Sequence, residues 1–231
     1  MVKVNGAEDE HSVAEAMAQV AADYDAHFVV NVGDNHYYAG VTNTTDPQWV
    51  DNYEAVYTQD SLMVPWYSVL GNHDYGINPE AETQYRSPNQ DRWQMPARYF
   101  SNRMLLGTNS TGLEQYATFI YLDTNPCISA YRSDDPSGWH PPPDTAPLFH
   151  DNIIEQDCAP QLTWLKTTLG AVDPDDWLVV VGHHPLSEID VEDFTTPLMA
   201  SHMALYLTGH LHLLRSTRLD GTSGKLCRPH I

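Results

Sequence analysis

Four short runs of β-branched and aromatic residues in this chain stop at a glycine, and each glycine is followed by side chains that can hold a metal ion. They read Gly33-Asp34, Gly71-Asn72-His73-Asp74, Gly182-His183 and Gly209-His210-Leu211-His212. A small residue at the strand end lets the backbone curl so that the next side chain points into the crevice beyond the strand's carboxyl end, where open α/β sheets gather their ligands. Imidazole, carboxylate, amide oxygen and phenolate together suit borderline or hard metals such as zinc, iron and manganese.

Helical patterns separate these runs. Ser12 with Glu15 forms a capping-box pattern, and Val13, Met17, Val20, Ala21 and Tyr24 recur at helical spacing, so a helix is predicted from Ser12. A strand is predicted over His27–Val32. A second helix is predicted with Asp46 as N-cap and Pro47 in its first turn, and with Trp49, Val50, Tyr53, Val56 and Tyr57 as its apolar stripe. Further strands are expected at Pro65–Leu70, Tyr116–Leu122, Trp177–Val181 and Ala204–Leu207, with a helix through Gln161–Leu169. Gly76–Leu113 reads as a long ordered excursion without regular elements, and Asn125–Asp157, with Pro141, Pro142 and Pro143, as a loop too rich in Pro and Asp to be core. Strands alternating with helices argue for a layered α/β domain.

Composition limits what such a domain can bind. Eleven Lys and Arg against thirty-one Asp and Glu give a formal charge of −20, which repels nucleic acid and anionic membranes at long range. No apolar run is long enough to span a bilayer, and the first thirty residues lack the layout of a signal peptide. A phosphate-processing protein of this charge needs local positive charge, which bound metal ions provide. Cys127 and Cys158 flank a loop-like stretch that a disulfide could tie down, and Cys227 is the third cysteine. Asn43-Thr44-Thr45 and Asn109-Ser110-Thr111 read as N-glycosylation acceptors.

Taken singly, each block has a plain explanation. Gly-Asp is commonly a turn, His183 or His184 a satisfied core histidine, Asn72-His73-Asp74 an Asn-initiated turn, and His210 with His212 a solvated pair on one face of an extended segment. In combination and in order they resemble a known family. Gly33-Asp34-Asn35-His36-Tyr37, Pro65-Trp66-Tyr67 leading to Gly71-Asn72-His73-Asp74, Gln161-Leu162-Thr163-Trp164-Leu165-Lys166, Val181-Gly182-His183-His184-Pro185 and Gly209-His210-Leu211-His212 are similar to the blocks of the purple acid phosphatases, of the tartrate-resistant acid phosphatase type. These belong to the calcineurin-like metallophosphoesterases, and the resemblance runs from about Val13 to Asp220.

The resemblance implies a single domain over residues 1–231 with a layered sandwich of two mixed β-sheets flanked by helices. It implies a dinuclear centre of Fe(III) with Fe(II), Zn(II) or Mn(II). Asp34 would bridge the two metals, Asn72, His183 and His210 would complete the divalent site, and Tyr37 and His212 would serve the iron. The implied reaction is phosphomonoester hydrolysis by a metal-bound hydroxide, with His73 holding the phosphoryl group or protonating the leaving alkoxide. A small phosphomonoester or phosphoprotein substrate, a monomeric state, and a secreted, lysosomal or vacuolar setting go with it; nucleic acid and membrane are not expected partners.

The chain departs from the family pattern in three places. The family opens with a strand ending in Gly-Asp that supplies another iron ligand. Here only Glu8, Asp9 and Glu10 precede the first helical pattern, and they read as a solvated helix start. The family's second substrate-facing histidine, a few residues past the match to His183, is missing from Pro185–Glu192; the next histidine is His202. The family's last strands, beyond the Gly209 block, have no counterpart here, so the expected domain lacks both its first motif strand and its C-terminal strands. Two other readings therefore stand beside the phosphatase: a weakly active or non-catalytic chain binding one divalent metal, and a phosphodiesterase of the same superfamily.

Overall fold

The computed structural model describes residues 6–133, 146–213 and 216, with side chains from Glu10 onward. Met1–Asn5, Pro141, Pro142, Pro143 and Cys227 lie outside the described residues, as do the side chains of Glu8 and Asp9. Among the described residues, seven strands form two sheets. The first joins β1 (Val29–Asn31), β2 (Trp66–Ser68) and β3 (Trp93–Gln94), all parallel. The second is mixed, in the order β4 (Phe100–Thr108), β5 (Glu114–Tyr121), β6 (Trp177–Val181) and β7 (Met203–Leu207). Its β4–β5 pair is antiparallel and the other two pairs are parallel.

The sheets meet through aromatic side chains. Phe28 packs edge-on against Phe119 with ring centroids 5.4 Å apart, and Tyr67 lies 5.8 Å from Tyr121. Trp49, Tyr53, Trp66 and Trp93 form a second aromatic cluster beside the first sheet. Large flat rings bury much apolar area per residue and prefer these edge and offset geometries. With the sheets so packed, the carboxyl ends of β1 and β2 stand beside those of β6 and β7.

Helices run as α1 (Gly6–Asp23), α2 (Glu80–Gln84), α3 (Ser129–Arg132), α4 (Phe149–Ile154), α5 (Cys158–Ala171) and α6 (Thr195–Ala200). The first differs from its sequence pattern. It begins at Gly6 rather than Ser12, because Ala7 through Glu10 are acceptable helix residues and place negative charge at the positive end of the helix dipole. Its buried face is Ala14, Ala18 and Ala21, while Val13, Val20 and Tyr24 are exposed. The small alanines permit a close approach that the larger side chains would block.

The turn at Asp46 forms as expected. The Asp46 side chain accepts from the backbone N–H of Gln48 at 3.0 Å, but the chain then widens into a π-type turn over Val50–Glu54. The wider turn buries Trp49, Tyr53 and Val56 and leaves Val50 exposed.

Two stretches read as lacking regular elements contain helices and strands. Gly76–Leu113 contains α2, β3 and the nine-residue β4, which is registered Phe100 opposite Tyr121. Polar Ser101 and Arg103 alternate with the more buried Phe100, Asn102 and Met104, so β4 is a strand with one face to solvent. The described parts of Asn125–Asp157 contain α3, α4 and a tight turn at Asn125–Cys127, with Cys127, Tyr131, Phe149 and Ile153 in the core. A disulfide joins Cys127 to Cys158. Asp157 caps α5 by accepting from the Ala159 backbone N–H at 3.1 Å.

Candidate metal centre

Side chains from all four glycine-punctuated strand ends converge. The turn after β1 puts Asp34 in left-handed backbone conformation, φ 58°, and His210 and His212 are likewise left-handed at φ 64° and 49°. Non-glycine residues held there carry local strain that surrounding structure must maintain, and such strain clusters at functional sites. The glycines make the approach possible: a Cβ on Gly33 would lie 2.7 Å from both Gly71 N and His183 Nδ1, and one on Gly71 would run into Asp34.

The tightest group is Asp34, Asn72, His183 and His210. Asn72 Oδ1 lies 3.0 Å from His183 Nε2 and 3.0 Å from His210 Nδ1, and Asp34 Oδ1 lies 3.3 Å from His183 Nε2. His183 Nδ1–H donates to the Val32 carbonyl at 2.8 Å. With Nδ1 committed to Val32, Nε2 faces two acceptor oxygens: it donates to them when the ring is protonated and offers a lone pair at the same place when a cation takes the proton's position. Such a convergence calls for a positive charge between them, and the donor set suits a divalent cation.

The electrostatics carry the same message. Burial works to raise Asp34, but the His183 hydrogen bond and the charges of His183 and His73 pull it well below the usual carboxylate range. Burial works to lower His183, and the Asp34 carboxylate raises it in spite of that.

The second group is more open. Asp34 Oδ2 accepts from the Tyr37 hydroxyl at 2.9 Å, and that hydroxyl lies 3.1 Å from His212 Nε2. Burial and then Asp34 push the Tyr37 phenol far above its ordinary value, so a proton stays on it unless a cation replaces it. The two oxygens of Asp34 thus face two different sets of donors. His73 sits over this side: its backbone N–H donates to Asp34 Oδ1 at 3.0 Å, its Nδ1–H donates to the Tyr38 carbonyl at 2.6 Å, and its ring lies against those of Tyr37 and Tyr38.

All seven residues singled out from the sequence are therefore brought together: Asp34, Tyr37, Asn72, His73, His183, His210 and His212. His202 is not among them, since it is exposed and precedes β7, whose opposite end carries the site.

Three neighbours of the site are given no role in it by the sequence. His184 has nitrogens close to those of His183 and His210. Both are engaged elsewhere, Nδ1 with Thr124 Oγ1 at 2.7 Å and Nε2 with the Tyr131 hydroxyl at 2.9 Å, so His184 forms a wall and not a ligand. Asp74, read as part of a ligand block, accepts from the backbone N–H groups of Gly71, Asn35 and His36 and ties the first two turns together. Its pKa is raised by complete burial and by Asp34. Glu188 Oε2 lies 3.5 Å from His210 Nε2; only the site's assembly reveals it.

Residues 8–214 match the family model for calcineurin-like phosphoesterases. The chain belongs to that family. Among its calcineurin-like relatives, purple acid phosphatase 3 of Arabidopsis thaliana is 28% identical over 223 residues, covering 90% of this chain and 55% of that protein. Tartrate-resistant acid phosphatase type 5 of Sus scrofa is 31% identical over 216 residues, covering 89% of this chain and 58% of its own length. The chain thus spans somewhat over half the length of these relatives. The fold is that of a solved structure titled "GAP50 the anchor in the inner membrane complex of Plasmodium", at TM-score 0.66 and 20% identity, over 92% of this chain and 64% of the other.

Proposed function

We propose that this chain is a metal-dependent acid phosphatase acting on phosphomonoesters. The observation that carries the proposal is the unbroken run of close contacts from Asp34 Oδ1 to His183 Nε2 at 3.3 Å, on to Asn72 Oδ1 at 3.0 Å, and from there to His210 Nδ1 at 3.0 Å. Bound there and beside Tyr37, the cations supply Lewis acidity toward the phosphoryl oxygens and activate water at neutral or acidic pH. The family's Fe(III) with Fe(II), Zn(II) or Mn(II) fits the division between a phenol-containing donor set and an amide–imidazole set.

The chain's own residues do the rest. Asp34 supplies one oxygen to each set and fixes their separation. The Val32 carbonyl holds His183 in the tautomer that presents Nε2. His73 is placed at the open side by its backbone bond to Asp34 and its ring bond to Tyr38, so it can hydrogen-bond the phosphoryl group or protonate the leaving alkoxide. Tyr37 and Tyr38, both substantially exposed, wall the approach. Relatives named acid phosphatases favour a monoester substrate over a diester. The Cys127–Cys158 disulfide favours a secreted, lysosomal or vacuolar setting. Among the described residues no helix is long and apolar enough to cross a membrane.

A second reading, a chain that binds one divalent cation and turns over weakly, is favoured by the open group. Asp34 Oδ2, Tyr37 and His212 meet there, with no further carboxylate in contact with the phenol among the described residues. Metal content per chain and p-nitrophenyl phosphate hydrolysis at mildly acidic pH decide between the two readings, with Asn72→Ala and His73→Ala as comparisons. Two metals and turnover lost in both variants are expected. One metal, with hydrolysis no faster than in the variants, would establish the second reading, and preference for bis-p-nitrophenyl phosphate would establish a diesterase.

A further inference from the structure

His210 carries its function on Nδ1, which faces Asn72, and so leaves Nε2 pointing the other way. What Nε2 meets is Glu188 Oε2, at 3.5 Å. We propose that Glu188 is a positioning residue: its carboxylate accepts the Nε2–H of His210 and so commits the Nδ1 lone pair of that ring to the divalent cation site. The inference rests on the phosphatase reading of the same site and adds to it a residue outside every sequence block that pointed to the family.

The pair has the chemistry the role demands. A neutral imidazole holds one proton, and whichever nitrogen keeps it cannot be a ligand. A ring that gives one nitrogen to a cation must keep its proton on the other, so the position of that proton is a real choice. A carboxylate is the strongest acceptor available to settle that choice, and carboxylate–histidine–metal arrangements both orient the ring and raise its basicity.

The support behind Glu188 is rigid. It closes the tight turn Leu186–Glu188 with its own N–H on the Pro185 carbonyl at 3.0 Å, and Ile189 next to it is buried. Asp190 and Val191 both donate their backbone N–H to the Cys127 carbonyl, and the Asp190 side chain accepts from the Ser129 backbone N–H at 2.7 Å and from its hydroxyl. The segment is thereby fastened to the disulfide-bonded loop on one side while Glu188 reaches the site on the other. The carboxyl is about one-third exposed, enough for the contact to be lost without emptying a core position.

The test is Zn2+ affinity by chelator competition on the full chain, for wild type, Glu188→Gln and Glu188→Ala, with the His210 ring followed by 15N NMR in the Zn2+-loaded protein. Glu188→Ala should weaken Zn2+ binding by roughly 10- to 100-fold, the loss usual for an outer partner of a ligating histidine. Glu188→Gln, whose amide oxygen still accepts from Nε2–H, should stay within a few-fold of wild type. The wild-type ring should carry its proton on Nε2.

Equal loss in both variants would make Glu188 a ligand in its own right and overturn the proposal, as would unchanged affinity in Glu188→Ala or a proton found on Nδ1. If Glu188→Ala does not fold, the Gln variant and the ring tautomer still decide. Wild type that holds no Zn2+ would overturn this inference and the phosphatase reading together, whereas tight wild-type binding with an indifferent Glu188→Ala would sink this inference alone.

Discussion

The two halves of the candidate centre are built differently although they share Asp34. On the Asn72 side two of the donors are buried, Asn72 at 2% and His183 at 1% exposure, with His210 half-buried beside them, and each is fixed by a contact to backbone or to another site residue. On the Tyr37 side the phenol is 44% exposed and His212 is exposed; Tyr37 touches His212, Asp34 and the ring of His73, itself at the open side. A buried, cross-linked donor set costs little to organise when a cation arrives, whereas an open set must pay side-chain entropy at that moment. The buried half should therefore hold its cation more tightly and govern turnover more strongly.

Paired substitutions put that contrast under the greatest strain. His183→Ala should remove the cation from the buried half and, on the proposed phosphatase reading, reduce turnover roughly 1,000-fold or more, since a Lewis acid contributes several kcal/mol to such a reaction. His212→Ala should lower total metal content while leaving one tightly held divalent ion per chain. Metal analysis after dialysis against a weak chelator reads both. Equal losses of metal from the two variants would break the distinction between the halves.

The disulfide supplies the next largest effect. Cys127 and Cys158 are separated by 31 residues, and closing a loop of that size stabilises a fold by roughly 3–4 kcal/mol in the chain-entropy model. The loop it ties accepts the backbone of Asp190 and Val191 through the Cys127 carbonyl, on the His183 side of the molecule. Replacing both cysteines by alanine should lower the urea midpoint and weaken the buried cation position more than the open one. A fall in midpoint with both positions weakened alike would place the disulfide's influence in global stability alone.

The contrast also explains what the sequence could and could not reveal. Strands β1, β2, β6 and β7 with their glycines are legible because a short apolar run closed by glycine is a local signal, and the site residues follow each run directly. β4 is not, because Ser101, Asn102 and Arg103 interrupt its apolar character; its register comes from β5, a partner the local pattern does not contain. The stretch after Asn125 reads as loop for a similar reason. Its polar residues are buried because specific partners await them, as when the Asn125 amide donates to the Leu70 carbonyl at 3.0 Å. In α1 the apolar periodicity pointed to Val13, Met17, Val20, Ala21 and Tyr24; Ala21 is buried and Met17 packs against the core, but Val13, Val20 and Tyr24 are exposed and Ala14 and Ala18 take their place. Glu188 had no spacing to mark it and acquires meaning only from what the fold sets opposite it, whereas His184, legible as a satisfied core histidine, is found buried with both ring nitrogens engaged.

A smaller effect separates the halves by pH. His36 lies on the turn between Asp34 and Tyr37, behind the open half. It is 1% exposed, packed edge-on against Trp49 at 4.4 Å, and neither ring nitrogen has a hydrogen-bond partner among the described residues. Burial, only partly opposed by Asp46, lowers its pKa to about 4. Above the unfolded value of 6.5 the ring is neutral in both states and contributes no pH dependence. As pH falls below that, the unfolded chain binds a proton that the folded chain refuses, so stability declines until the folded ring also titrates near 4. Between pH 7.5 and 5 the loss should be roughly 2 kcal/mol. His36→Phe keeps the aromatic contact with Trp49, removes two unsatisfied buried nitrogens, and should flatten this part of the profile while leaving stability at pH 7.5 equal or higher. Urea midpoints at the two pH values read the difference. Parallel declines in wild type and variant would show that another group, such as the buried Asp34–His183 pair, sets the acid sensitivity, and would move that sensitivity from the open half to the closed one.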